Sequence, residues 1–138
     1  MRPEEPIVSG PGDGERLQAR HRVLRVKALR PELHLLEFEI GPEHEGPRPH
    51  FHRRHVQSFF VLEGALEFRV GGETVRAGPG SSVLVPPGVV HAFRNLGPGR
   101  ARFLDIQAPG SGFVDYMRAR ARGEDVDPSE FDVHYVDG

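Results

Sequence analysis

Seventeen glycines and thirteen prolines divide this 138-residue chain into stretches that are mostly too short for an ordinary helix. The stretches between them alternate apolar and polar residues. Candidate strands fall at about 21–29, 33–40, 48–52, 57–63, 65–70, 73–77, 82–86, 90–95 and 101–107. Many short strands separated by turn residues predict an all-β sandwich or barrel. Glu63-Gly64 and Gly71-Gly72 are tight enough to close hairpins, so the pairing is expected to be local and antiparallel. Residues 1–16 read as a Pro/Gly-rich arm, 17–110 as the barrel and 111–138 as a C-terminal helix and tail. The helix is predicted from Ser111-Gly112 onward, with Phe113, Tyr116 and Met117 at helical spacing, packed on the outside of the barrel. Asp127-Pro128-Ser129-Glu130 reads as a capping box that starts a last short turn. There is no internal repeat and no sign of a second domain.

Alternation also sorts the faces. In LHLLEFEI, Glu37 and Glu39 belong outside, which sends His34, Leu36, Phe38 and Ile40 inward. Leu66, Phe68 and Val70 share a face in the same way. If Gln57 and His91 point inward, Phe59 and Val61 follow the first and Phe93 the second. Phe38, Phe59, Val61, Phe93 and Phe103 are therefore the candidate walls of an apolar, aromatic pocket.

Composition removes several function classes. With no cysteine there is no disulfide framework, no thiolate zinc site and no cysteine nucleophile. The net charge of -2, from 18 basic and 20 acidic residues, argues against a general nucleic-acid binder. The basic run from Arg16 to Arg30 reads as a solvated strand face rather than a phosphate-binding patch. No stretch is apolar enough for a signal peptide or a membrane span, so a cytoplasmic protein that does not contact membrane is expected.

The chemistry is concentrated in GPRPHFHRRHVQSFFVLEG (46–64) and GSSVLVPPGVVHAFRN (80–95). His50 and His52, two apart on a strand, point to the same side of the pleat. Gln57 lies an odd number of residues further on, so it reaches that side only if a turn near Arg53-Arg54 resets the parity. Pro86 and Gly88 make a tight reversal that aims His91 at the same space. Three imidazoles and one side-chain oxygen suit a divalent iron, manganese, nickel, cobalt, copper or zinc ion.

These two segments resemble the paired motifs of the cupin superfamily. The second motif is matched by Gly80, Pro86, Gly88, His91 and Asn95, and the first by His50, His52 and Gly64, with Gln57 where the family usually has Glu. Gly46 stands closer to the histidines than the usual leading glycine. The resemblance covers roughly residues 20–107, and PGSGF at 109–113 with the helix after it is similar to the tail of small single-domain (cupin 2 type) members grouped with bacterial quercetin dioxygenase. It implies a double-stranded β-helix, or jelly-roll, barrel with a short C-terminal helix. It also implies one bound divalent transition metal, a small-molecule ligand or substrate, and a homodimer. The run His50-x-His52-x2-His55-x-Gln57 is also similar to that of small cupins that linearise unsaturated uronates.

Gln57 is either a direct ligand or an amide that hydrogen-bonds beside three histidine ligands. His55 reads as a surface or supporting histidine, with replacement of Gln57 on the metal as its alternative. Asn95 reads as a turn-fixing side chain, and Gly64, Gly80, Pro86 and Gly88 as turn residues. His21, His44 and His134 read as surface. Asp105, the one acid in RFLDIQ, is a candidate general base or a solvent-facing residue, and His34 is a further catalytic candidate. Gln in place of Glu leaves a divalent site more positive by one charge, which strengthens Lewis acidity and gives less support to a ferric state. Three functions follow as expectations: a dioxygenase acting on a small aromatic or enolic molecule, a Lewis-acid isomerase or lyase acting on a sugar acid, and a noncatalytic binding module.

Overall fold

The computed structural model describes Arg2 and residues 4–136; Met1 and Pro3 of the expected arm and Asp137 and Gly138 of the expected tail lie outside the described residues. Eleven strands run in order, β1 (Glu15–Ala19), β2 (Arg22–Arg30), β3 (Leu33–Ile40), β4 (His50–Phe51), β5 (Val56–Glu63), β6 (Leu66–Val70), β7 (Glu73–Ala77), β8 (Ser82–Val85), β9 (His91–Asn95), β10 (Ala101–Ala108) and β11 (His134–Tyr135). Among the described residues these are all the strands, and one helix, α1 (Phe113–Ala121), and a 3-10 turn at Pro128–Phe131 come between β10 and β11. All pairings are antiparallel, in a six-stranded sheet of order β1-β2-β3-β10-β5-β8 and a five-stranded sheet of order β11-β4-β9-β6-β7. The chain is mostly β, and its two facing sheets form a double-stranded β-helix.

Period-two patterning accounts for the layers. In β3, His34, Leu36, Phe38 and Ile40 are buried while the residues between them are half-buried, as alternation required. In β10 the buried set is Ala101, Phe103, Asp105 and Gln107, so Asp105 points inward and does not face solvent. Aromatic rings hold the two sheets together. Phe59 of β5 meets Phe68 of β6 with ring centroids 5.0 Å apart, and Phe93 of β9 stands edge-on to Phe103 of β10 at the same separation. Each such ring contributes roughly 1.5–3 kcal/mol by burial.

Turn residues set where the strands reverse. The hairpin expected at Gly71-Gly72 joins β6 to β7, but the one expected at Glu63-Gly64 does not form, because that turn carries the chain from β5 in one sheet to β6 in the other. Gly64 takes φ +86°, and a Cβ there would stand 2.7 Å from the carbonyl oxygen of Arg100, so this crossing requires glycine on two grounds. Asn95 behaves as a turn-fixing side chain: its amide donates to the carbonyls of Gly99 and Ile40, and its oxygen accepts from the Gly97 N–H. At the C-terminal end, Asp127 caps the 3-10 turn by accepting from the Ser129 N–H at 3.0 Å, with Pro128 in first place.

Two elements depart from the expectation. Strand β1 lies partly within the stretch read as an arm and pairs with β2 along its whole length. The C-terminal helix does more than brace the outside. Its Phe113, Tyr116 and Met117 line the main cavity, and Val114, Tyr116 and Met117 join the hydrophobic core.

Candidate metal centre

His50 and His91 are direct cross-strand partners of β4 and β9, and this register brings their rings to 4.4 Å between centroids. His52, just beyond β4, lies 5.0 Å from His50 and 5.3 Å from His91 by the same measure. The ligand nitrogens of the three all lie within 4.8 Å of one another, a group that could hold a metal ion. The turn at Arg53-Arg54 is a bend, and beyond it Gln57 enters from β5 of the opposite sheet. The Gly88 N–H donates to the carbonyl of His52 at 2.6 Å, tying the Pro-Gly reversal directly to the first histidine segment.

Each imidazole is oriented by the backbone. His50 Nδ1–H donates to the carbonyl of Arg48 at 2.8 Å, His52 Nδ1–H to Asp132 at 2.8 Å and His91 Nδ1–H to Val89 at 3.0 Å. A carbonyl only accepts, so Nδ1 carries the hydrogen and Nε2 the lone pair in all three. The Nε2 atoms of His52 and His91 and the Oε1 of Gln57 are buried without any hydrogen-bond partner. Buried acceptors left bare in this way are costly, and a cation that takes their lone pairs removes the cost. The donor set therefore fits a divalent metal. The protonation state fits too. Burial, reinforced by the neighbouring histidines, pulls His52 down to about 3 and His91 to about 4, so both are neutral and ready to ligate at pH 7.

Gln57 is held in place by an acid. Its Nε2 donates to both carboxylate oxygens of Asp105 at 2.9 Å, which turns Oε1 away from the carboxylate. Asp105 faces inward, is 1% exposed, and is pushed by burial to about 7, opposed by the hydrogen bonds from Gln57 and Gln107. Gln107, fully buried, also faces Asp105 at 3.4 Å, and its own oxygen accepts from Ser111 Oγ at 2.6 Å. A relay thus runs from the start of α1 through Ser111, Gln107 and Asp105 to Gln57. Gln107 shares the parity of Asp105, which is the signal that could have found it. Ser111 stood in the PGSGF run without a sign of this contact.

Asp132 was also missed. It takes a left-handed conformation at φ 59°, its carboxylate accepts the N–H groups of Arg53 and Arg54 and pairs with His134 at 2.9 Å, and its carbonyl orients His52.

A cavity of about 670 Å³ opens beside the cluster, reached by His50, Gln57 and Asp105 and walled by Phe38, Phe59 and Phe93. Val61 and Phe103 correct the expected wall: both are 0% exposed and lie in the core, off the cavity lining, with Phe103 packed against the rings of Phe38, Phe59 and Phe93. His34 faces inward as expected but sits beside Gly110 and Ser111, away from the cavity lining. His55 corrects the surface reading. It is 2% exposed, its ring lies 4.5 Å from that of His52, and neither of its nitrogens has a partner. His44 is half-buried on the cavity wall, stacked with Phe93, and His134 is half-buried against Asp132, whereas His21 is exposed.

A β-helix whose two sheets contribute three histidines and an amide to one cup defines a class of barrels with an internal site that could hold a cation. The profile of the Cupin domain family matches residues 36–107, more than half of the chain, and the protein belongs to that family. It is similar to quercetin 2,3-dioxygenase of Bacillus subtilis (strain 168), 26% identical over 108 residues, which are 76% of this chain and 32% of that protein. The chain thus spans about a third of the length of that relative. Among solved structures it is similar to KdgF from a Halomonas species, with 25% identity, 69% of this chain and 87% of the other covered, and a TM-score of 0.64. It is similar also to the polyketide cyclase RemF of Streptomyces resistomycificus, with 25% identity, 73% and 78% covered, and a TM-score of 0.64. Among the described residues no helix is long and apolar enough to cross a membrane.

Proposed function

We propose that the protein is a mononuclear metal enzyme that works by Lewis-acid chemistry on a small oxygenated molecule, with His50, His52, His91 and Gln57 as ligands. The observation that carries this reading is the amide of Gln57, whose nitrogen is committed to Asp105 and whose bare oxygen is left as a neutral fourth donor. A divalent cation held there supplies polarisation of a carbonyl or hydroxyl oxygen and a lowered pKa for coordinated water. Four neutral ligands leave its full charge for that task, whereas a carboxylate in place of Gln57 would offset part of it. Asp105 lines the cavity and, pushed to about 7 by burial, can release or accept a proton near neutral pH. Phe38, Phe59 and Phe93 exclude water from one side of the substrate.

A second reading, a dioxygenase acting on an aromatic or enolic molecule, is favoured by the likeness to quercetin 2,3-dioxygenase and by the aromatic wall. Turnover assays with and without oxygen on uronates, flavonols and catechols separate the two. The Lewis-acid reading expects turnover under anaerobic conditions, and expects Gln57→Glu to change the rate far more than the metal content. Oxygen uptake coupled to flavonol or catechol loss would overturn it in favour of the second reading.

A further inference from the structure

Part of the cavity lining is cationic. Arg22, the first residue of β2, Arg48 of the β3–β4 connection and Arg120 of α1 all line it. Arg48 lies over the ring of Tyr135 at 4.5 Å and Arg120 over that of Tyr116 at 5.6 Å, so the rings brace two guanidinium groups from one side. Arg22 differs from Arg25, whose Nε is bare in the same way, in lacking an ion pair as well. Its Nε is buried with no hydrogen-bond partner, and no carboxylate pairs with it among the described residues. Burial, and then the like charge of Arg120, both weigh against its cation. Other arginines on β2 and β10 have partners, Arg25 with Glu39 and Arg102 with Glu37. Among the acids on the same lining, Glu124 is bound by Arg122 at 2.9 Å and Asp105 by Gln57, and no ion pair joins Asp125 to Arg22 among the described residues. A desolvated guanidinium beside a second one, at the rim of a ligand-sized cavity, is a poor structural element and a good oxyanion receptor.

We propose that Arg22 and Arg120 bind an oxyanion, a carboxylate or phosphate, on a ring-sized molecule whose other end reaches toward the histidine cluster. This names the substrate class of the site proposed above and rests on the cavity being that site. The aromatic side chains of the lining suit a flat or apolar body, and the volume of about 670 Å³ lies in the range of small-molecule pockets.

The test titrates benzoate, phenyl phosphate and neutral benzyl alcohol into metal-loaded and chelator-treated protein, by calorimetry or amide chemical shifts. Both anions are expected to bind more tightly than the alcohol in both forms, and their relative affinities distinguish carboxylate from phosphate as the preferred group. Arg22→Met and Arg120→Met are each expected to weaken the anions about tenfold and to leave the alcohol unchanged, with Arg22→Lys intermediate. Because Arg22 opens a strand, Arg120→Gln on the exposed face of α1 serves as the variant least able to disturb folding. Equal binding of anions and alcohol, or anion affinity indifferent to both arginines, overturns the proposal. So does anion binding confined to the metal-loaded form, which would place the oxyanion on the cation. A protein that takes up no metal yet binds the anions through Arg22 and Arg120 would sink the metal reading alone.

Discussion

Each imidazole of the cluster spends one nitrogen on a backbone carbonyl and leaves the other bare, and burial keeps the ring neutral. This has a direct consequence for pH. Unfolded histidine takes up a proton near 6.5, whereas in the folded state His52 resists to about 3 and His91 to about 4. Between those values the unfolded chain binds more protons, so stability rises with pH. The contribution is fully present above 6.5 and is lost as pH falls through the folded values. Metal-free protein is therefore expected to show a denaturant midpoint that falls steadily from pH 6.5 toward 4, and His52→Gln is expected to flatten that fall. An identical slope in wild type and variant would contradict the account. Metal steepens the same dependence, because only neutral imidazole ligates.

At the scale of elements, the two-residue strand β4 cannot hold its histidines alone. It is fixed by β9 on one side and by β11 on the other, while Asp132, just before β11, clamps the Arg53-Arg54 bend. Burial raises the carboxyl of Asp132, yet the N–H groups of Arg53 and Arg54 and the ring of His134 hold it below the usual range. Asp132→Asn keeps a residue that tolerates the left-handed backbone and removes the charge. It is expected to cost about 1.5–3 kcal/mol by denaturant unfolding and to lower metal affinity as His52 loosens. No loss of either would show that the tail is not part of the site. Strand positions from 21 to 107 were legible in the sequence because alternation and turn residues agree there. Strand β1 was not, since ERLQA has a single half-buried position, Leu17, and is fixed by its pairing with β2. Asp132 and Ser111 were illegible for another reason: they act on His52 and Gln107 through contacts that only the closed barrel creates. The histidines and Gln57 were readable because their offsets are local, as Gln107 would have been from the parity of Asp105.

For the whole molecule, the outer face of the six-stranded sheet leaves Phe60, Leu62 and Leu84 at 38%, 36% and 61% exposure on the adjacent strands β5 and β8. Such a patch on a small barrel suits a second copy of the chain, in line with the homodimer expected from the family. Sedimentation equilibrium is expected to give a dimer for the wild type and a monomer for Phe60→Glu combined with Leu84→Glu, with the cup still able to take metal. A wild type that stays monomeric at every concentration would refute the dimer.

On the proposed function, the three oriented imidazoles and the amide that Asp105 holds all take their meaning from one cation. Anomalous diffraction at the absorption edge of a soaked divalent transition metal tests this most directly. The account predicts one strong peak per chain, about 2.0–2.2 Å from Nε2 of His50, His52 and His91 and from Oε1 of Gln57. A peak bound elsewhere, or none between these four atoms at saturating metal, would contradict it.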